Sequence, residues 1–117
     1  MRPTVLIVDD SPSYRIAARA LLESEGFEVV GESTTGVDAL ADWERLRPDV
    51  VLLDIGLPDI DGIAVAERLT ARTDGPAVVL VSSRDGAGCE QVFDRCGARG
   101  FIPKGELSGE AITALAA

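Results

Sequence analysis

An open, doubly wound α/β sheet with helices on both faces is the fold this sequence predicts, and three observations predict it. Short β-branched runs alternate strictly with longer amphipathic stretches along the chain. The apolar runs are not interrupted by polar residues, so they read as strands covered on both faces, as in a parallel sheet. Carboxylates and other polar side chains stand where those runs stop, on the edge where such sheets hold their ligands.

The first strand is expected near Thr4 to Asp9, through the run Val5-Leu6-Ile7-Val8. Ser11 can cap the helix that follows, near Pro12 to Glu25, with Pro12 at its first position, where a missing N–H costs little. Gly26 suits the end of that helix. A second strand near Phe27 to Glu32 precedes a helix near Val37 to Leu46, where Thr35 followed by Asp38 resembles a capping box. The third strand, Val50 to Asp54, is carried by Val50-Val51-Leu52-Leu53 and leads to a helix near Ile63 to Arg72. The fourth, Ala77 to Val81, is followed by a helix near Ala87 to Cys96. Gly86 and Gly88 weaken the start of that helix, and Gly97 suits its end. A short fifth strand, Gly100 to Ile102, and a helix from Gly109 to Ala116 complete the alternation. Right-handed crossovers make the doubly wound sheet the simplest topology, although pattern alone leaves the strand order open.

The 117 residues fit one domain, 1–117, long enough to bury roughly two thirds of the surface of the unfolded chain. No run approaches the roughly 20 apolar residues of a membrane helix, and the start of the chain does not read as a cleavable signal, so a cytoplasmic protein without membrane contact is expected. Acidic residues outnumber basic ones 20 to 11, a formal charge of −9 that repels a phosphate backbone, so direct nucleic-acid binding by this domain is not expected. The absence of histidine excludes histidine nucleophiles and histidine metal ligands. Cys89 and Cys96 are too few for structural zinc. On one helix they would stand about 10.5 Å apart, beyond the roughly 7 Å reach of a disulfide, so both read as reduced thiols.

The sharpest signal is the set of residues that ends the strands: Asp9-Asp10 after the first, Asp54 after the third, Ser82-Ser83 after the fourth and Lys104 after the fifth. Any one of them is an ordinary loop starter, helix cap or surface lysine. In a parallel sheet all these positions converge on one cleft. Three crowded carboxylates repel each other unless a cation sits among them, and oxygen-only donors favour a hard ion, Mg2+ above all. A carboxylate can also accept a phosphoryl group. Asp54, alone at the end of the central strand, is the candidate nucleophile, and the Asp9-Asp10 pair suits gripping the ion. Ser82 can donate to a phosphoryl oxygen, and Lys104 can pair with the free or phosphorylated carboxylate.

Through Val8-Asp9-Asp10, Asp54-Ile55-Gly56-Leu57-Pro58 with Asp61-Gly62, Val81-Ser82-Ser83 and Phe101-Ile102-Pro103-Lys104, essentially the whole chain resembles the receiver domains of two-component response regulators. The resemblance implies a flavodoxin-like receiver fold with strand order 2-1-3-4-5. It implies Asp9 and Asp10 as the metal-binding pair, Asp54 as phosphoacceptor and metal ligand, and Gly56 as the position whose backbone carbonyl ligates the ion. It further implies Ser82 as the switch hydroxyl, Phe101 as the switch aromatic and Lys104 as the basic partner. The implied donor is a phosphohistidine on a sensor histidine kinase or phosphotransfer protein. The implied output is a changed surface, and a homodimer face, around the fourth helix, fifth strand and fifth helix. Such a domain assists its own phosphorylation but is not a turnover enzyme.

The sequence departs from the family pattern at the lysine. Many receivers carry a proline after it with a cis bond, whereas here Pro103 precedes Lys104 and Gly105 follows. Gly56 and Arg84 occupy positions that tune phosphoryl lifetime in the family. The rival from another class is a phosphorylation-independent interaction module of the same fold, whose mark would be a lost acceptor, acidic pair or lysine. All are present. A flavin or dinucleotide binder is disfavoured because Asp-Asp-Ser-Pro, not a glycine fingerprint, follows the first strand.

Overall fold

Five parallel strands, β1 (Thr4–Val8), β2 (Glu28–Ser33), β3 (Val50–Asp54), β4 (Ala77–Ser82) and β5 (Gly100–Pro103), form one sheet in the order β2-β1-β3-β4-β5. The computed structural model describes residues 3–57, 59, 62–82 and 96–116. Within them lie the helices α1 (Pro12–Ser24), α2 (Gly36–Leu46), α3 (Gly62–Thr70) and α4 (Gly109–Ala116), the last being the fifth of the predicted succession, and a single 3₁₀ turn at Lys104–Glu106. The helix expected near Ala87 to Cys96, with Gly86, Gly88 and Cys89, falls outside the described residues. Cys96 is described: it lies in a turn, buried and outside any disulfide.

The uninterrupted apolar runs divide by the period of two that a strand imposes. Leu6, Val8, Val51, Leu53, Val78 and Leu80 face one core with Ala39, Trp43, Val65 and Leu69 of α2 and α3. Val5, Ile7, Val50, Leu52, Val79 and Val81 face the other with Ala18, Leu22 and Ile112 of α1 and α4. Every residue of β3 is buried. Each fully buried Val, Leu or Ile contributes about 1.5–3 kcal/mol, so β1, β3 and β4, with four such residues each, are the most firmly held segments of the sheet.

Local signals place the element ends. Ser11 Oγ accepts from Tyr14 N at 3.4 Å with Pro12 opening α1, and Thr35 Oγ1 accepts from Asp38 N at 3.1 Å at α2. Gly26 and Gly97 take the positive φ values, 95° and 81°, that favour glycine after a helix or in a turn. The helix expected to reach Arg72 stops at Thr70, whose hydroxyl has two carbonyl acceptors within reach, Cys96 O at 2.6 Å and Ala66 O at 2.8 Å. Arg72 leaves the helix to pair with Glu44 and Asp74 and, with Arg47, to cover the Trp43 ring at 4.8 and 4.3 Å. No helix among the described residues is long and apolar enough to cross a membrane.

Candidate functional site

Val8 pairs with Leu53 in register, so the residues that follow, Asp9 and Asp54, emerge side by side at the carboxyl edge of the two central strands. Asp9 N donates to Ser33 O at 3.0 Å and Ile55 N to Val81 O at 3.1 Å, which carries the ladder past the strand ends on both sides. Ser82 closes β4 opposite Pro103, and Lys104 follows at once in the 3₁₀ turn. Asp9, Asp10 and Asp54 present carboxylate oxygens within 4.8 Å of one another, with Asp9 and Asp54 buried and Asp10 exposed.

The Asp9 carboxylate has no solvent exposure. Its Oδ1 accepts from Ser11 N at 2.8 Å, while Oδ2 stands 2.6 Å from Lys104 Nζ, outside the direction of a lysine hydrogen bond. Lys104 thus gives this buried oxygen an ionic neighbour but no directed donor. Arg15 Nη1 donates to Asp9 O at 2.7 Å, and its Nε to Glu32 Oε1 at 3.1 Å, which fixes the backbone of Asp9 between α1 and β2. A buried oxygen without a directed donor among the described residues, in a set of three facing carboxylates, fits a hard divalent cation and offers nothing to a soft one.

Asp54 Oδ1 accepts from Gly56 N at 3.1 Å, and Oδ2 lies 3.6 Å from Lys104 Nζ. Burial pushes the Asp54 carboxyl above its ordinary range and the charges of Asp9 and Asp10 add to this, against the Gly56 amide and Lys104. A raised folded-state value means that protonation of Asp54 favours the fold. That contribution is complete below the ordinary carboxylate range and is lost as pH rises through the raised value. In metal-free buffer Asp54→Asn is therefore expected to melt above wild type at neutral pH, with the gap closing as pH falls through the carboxylate range. Thermal melts across that range check this.

Gly56 is exposed, and a Cβ there would meet only Asp54 Oδ1 at 3.9 Å, so sterics do not demand a glycine. Gly62 is the opposite case. A Cβ there would overlap the carbonyl oxygen of Asp54 and approach Ile55 Cα to 2.7 Å, because α3 begins directly against the end of β3, with Gly62 N donating to Ile55 O at 3.0 Å. Backbone cannot swing aside as a side chain can. Gly62→Ala is expected to cost about 1–3 kcal/mol, the range for overpacking, and to displace Asp54; urea denaturation reads the first effect and phosphoryl labelling the second.

Two further residues, one framing the loop after Asp54 and one touching Lys104, are marked by no local pattern. The Asp59 carboxylate accepts from Gly36 N (2.7 Å) and Val37 N (3.1 Å), so the loop after Asp54 caps α2. Tyr14, in the first turn of α1, lies with its ring 4.5 Å below Lys104 Nζ. Burial, then the charges of Asp9 and Asp54, hold its phenol well above the ordinary value, so it stays neutral. Phe101 is half-buried on β5 against the α2 and α3 core, and Ser82 is half-buried at the end of β4. All described peptide bonds are trans, Lys104–Gly105 included. Pro58, Asp61, Ser83 and Arg84 lie outside the described residues.

Three aspartates and a lysine at the carboxyl edge of a doubly wound, five-stranded parallel sheet define a receiver-type acidic site. The sequence profile of the response regulator receiver domain matches residues 5–116. The chain belongs to the response regulator receiver domain family. It is 41% identical over 113 residues to a protein of Pseudomonas aeruginosa named as a transcriptional regulator, covering 94% of this chain and 53% of that one. It is 37% identical over 115 residues to a protein-glutamate methylesterase/protein-glutamine glutaminase of Alkalilimnicola ehrlichii, covering 94% of this chain and 29% of that one. The signal receiver domain of the response regulator NarL from Mycobacterium tuberculosis superposes with a TM-score of 0.85 at 31% identity, covering 97% and 96% of the two chains. The chain therefore spans about half of the first relative and less than a third of the second.

Proposed function

We propose that Asp54 accepts a phosphoryl group from a phosphohistidine of a sensor histidine kinase or phosphotransfer protein, in a Mg2+-dependent reaction, and that the acyl phosphate changes an output surface. The observation that carries this reading is the placement of Asp54, buried between the acidic pair and Lys104, with one oxygen held by Gly56 N and the other facing the ammonium. Asp9, Asp10, Asp54 and the Gly56 carbonyl would hold the ion. When bound, it would neutralise the facing carboxylates and polarise the phosphoryl oxygens.

The chain's own residues do the rest. An Asp54 oxygen bonds to phosphorus as the P–N bond of the donor breaks, and the electron pair stays with the imidazole. Gly56 N holds the carboxylate in line, and Lys104 meets the charge that accumulates on the transferred group. Ser82, one residue beyond the strand pair that positions Asp54, donates to the new phosphoryl oxygens, and Phe101 on the neighbouring strand turns with it. The affected surface includes the shallow groove between β5 and α4 lined by Phe101, Pro103, Ala111 and Leu115, which also serves as the self-association face. One phosphoryl group per chain is a signal and not a turnover. Nucleic acid is not assigned to this domain, whose charge of −9 opposes a phosphate backbone.

Intact mass after incubation with phosphoramidate, with and without Mg2+, tests the reading. A gain of one phosphoryl mass only with Mg2+ is expected; no gain under either condition would favour a receiver that signals by binding alone.

A further inference from the structure

Lys104 Nζ stands against three groups: Asp9 Oδ2 at 2.6 Å, Asp54 Oδ2 at 3.6 Å and the face of the Tyr14 ring at 4.5 Å from its centroid. The lysine arrives on a long flexible stem from the turn after the edge strand, and that stem alone does not fix where the ammonium rests. The two carboxylates do not fix it either, because the nearer one, Asp9, draws the charge away from Asp54. The ring is the third point of support. It packs on the core shared by α1 and α4, so its position is set by the fold. Its hydroxyl is buried and has no hydrogen-bond partner among the described residues, so what Tyr14 offers the lysine is the negative face of its π system.

We propose that Tyr14 is a positioning residue, whose ring holds the Lys104 ammonium within reach of Asp54 and so sets the rate at which Asp54 takes a phosphoryl group. The inference rests on the reading of Asp54 as phosphoacceptor and extends it to a residue outside the acidic set. The ordinary alternative is a core tyrosine that fills space. The two differ in what replaces the ring: an aliphatic side chain of similar size would serve a core and would not hold a cation.

The experiment measures labelling by phosphoramidate for wild type, Tyr14→Phe, Tyr14→Leu and Tyr14→Met, each also in a Lys104→Ala background, with thermal melts to verify folding. Tyr14→Phe keeps the π face and is expected to label within about twofold of wild type, while Tyr14→Leu and Tyr14→Met are slowed about three- to tenfold, the scale of one partly desolvated cation–π contact. Without the lysine, the same substitutions should change the rate by less than about twofold, because the ring acts through Lys104. On metal-free protein, the Lys104 ε-methylene proton resonances should show the ring-current displacement in wild type and Tyr14→Phe and lose it in the aliphatic variants.

Folded aliphatic variants that label at the wild-type rate, or that lose as much rate without the lysine as with it, would overturn the role of the ring and leave Asp54 as acceptor. A wild-type protein that takes no phosphoryl group would overturn both.

Discussion

Asp54→Asn is expected to fold as wild type does and to take no detectable phosphoryl group from phosphoramidate or acetyl phosphate in Mg2+. The substitution keeps shape and volume, and the side-chain amide oxygen it introduces can still accept from Gly56 N, so the loop after β3 keeps its anchor. What is lost is a carboxylate oxygen able to bond phosphorus, and neither neighbour replaces it. Asp9 is wholly buried, with one oxygen held by Ser11 N and the other beside Lys104. Asp10 is exposed and, among the described residues, does not join the ion pairs that Asp9 and Asp54 make with the lysine. Intact mass reads the outcome directly, and continued acyl-phosphate formation in this variant would remove Asp54 from the role of acceptor.

Lys104→Ala carries the second large effect, and it divides in two. Without the ammonium, the buried Asp9 carboxylate keeps, among the described residues, a single donor and faces Asp10 and Asp54 unneutralised, a loss of about 3 kcal/mol on the scale of a broken buried ion pair. Urea denaturation in metal-free buffer should show that loss, and Mg2+ should restore part of it by binding the folded state. In the reaction, removal of a preorganised positive group slows labelling by about 10²-fold without abolishing it. The variant, once phosphorylated, should lack the conformational response, because the phosphoryl group has lost the partner that draws it and its loop toward β5. A wild-type change in the spectra of phosphorylated Lys104→Ala would refute this role for the lysine.

Strand positions and the edge on which the site lies were legible in the sequence because both follow from local pattern. An apolar run without alternation has one economical use in a sheet covered on both faces, and in a parallel sheet Asp9, Asp54, Ser82 and Lys104 must then share an edge. Element ends moved by one or two residues where side chains from elsewhere intervene. Thr70 ends α3 early by binding the carbonyl of Cys96, 26 positions further along. The contacts of Tyr14, Asp59 and Gly62 were not legible for the same reason, although Gly62 was already part of the motif that carried the family resemblance. A tyrosine in the first turn of an amphipathic helix reads as core until the lysine 90 positions later is seen above its ring. An aspartate in a loop reads as solvated until α2 is found on it, and a glycine before a helix reads as punctuation until the carbonyl of Asp54 is found where its Cβ would go. The signal for each is a contact between elements, which no window of sequence contains.

The two sides of the site are held by different parts of the fold. The carboxylates stand on β1 and β3, each flanked by strands and buried through its length apart from the half-buried Thr4, so their separation is a property of the whole sheet. Lys104 stands on a three-residue turn after the edge strand, next to Gly105, where an added Cβ would meet nothing within 4 Å. Descent with modification therefore has unequal access to them. A lineage that alters the spacing of the acids must first rebuild its core, whereas one that alters the approach of the lysine needs only exchanges at the exposed Gly105 and Glu106. Divergence in timing among sister domains with this frame would then accumulate at positions 105 and 106, while the acidic pocket stays fixed.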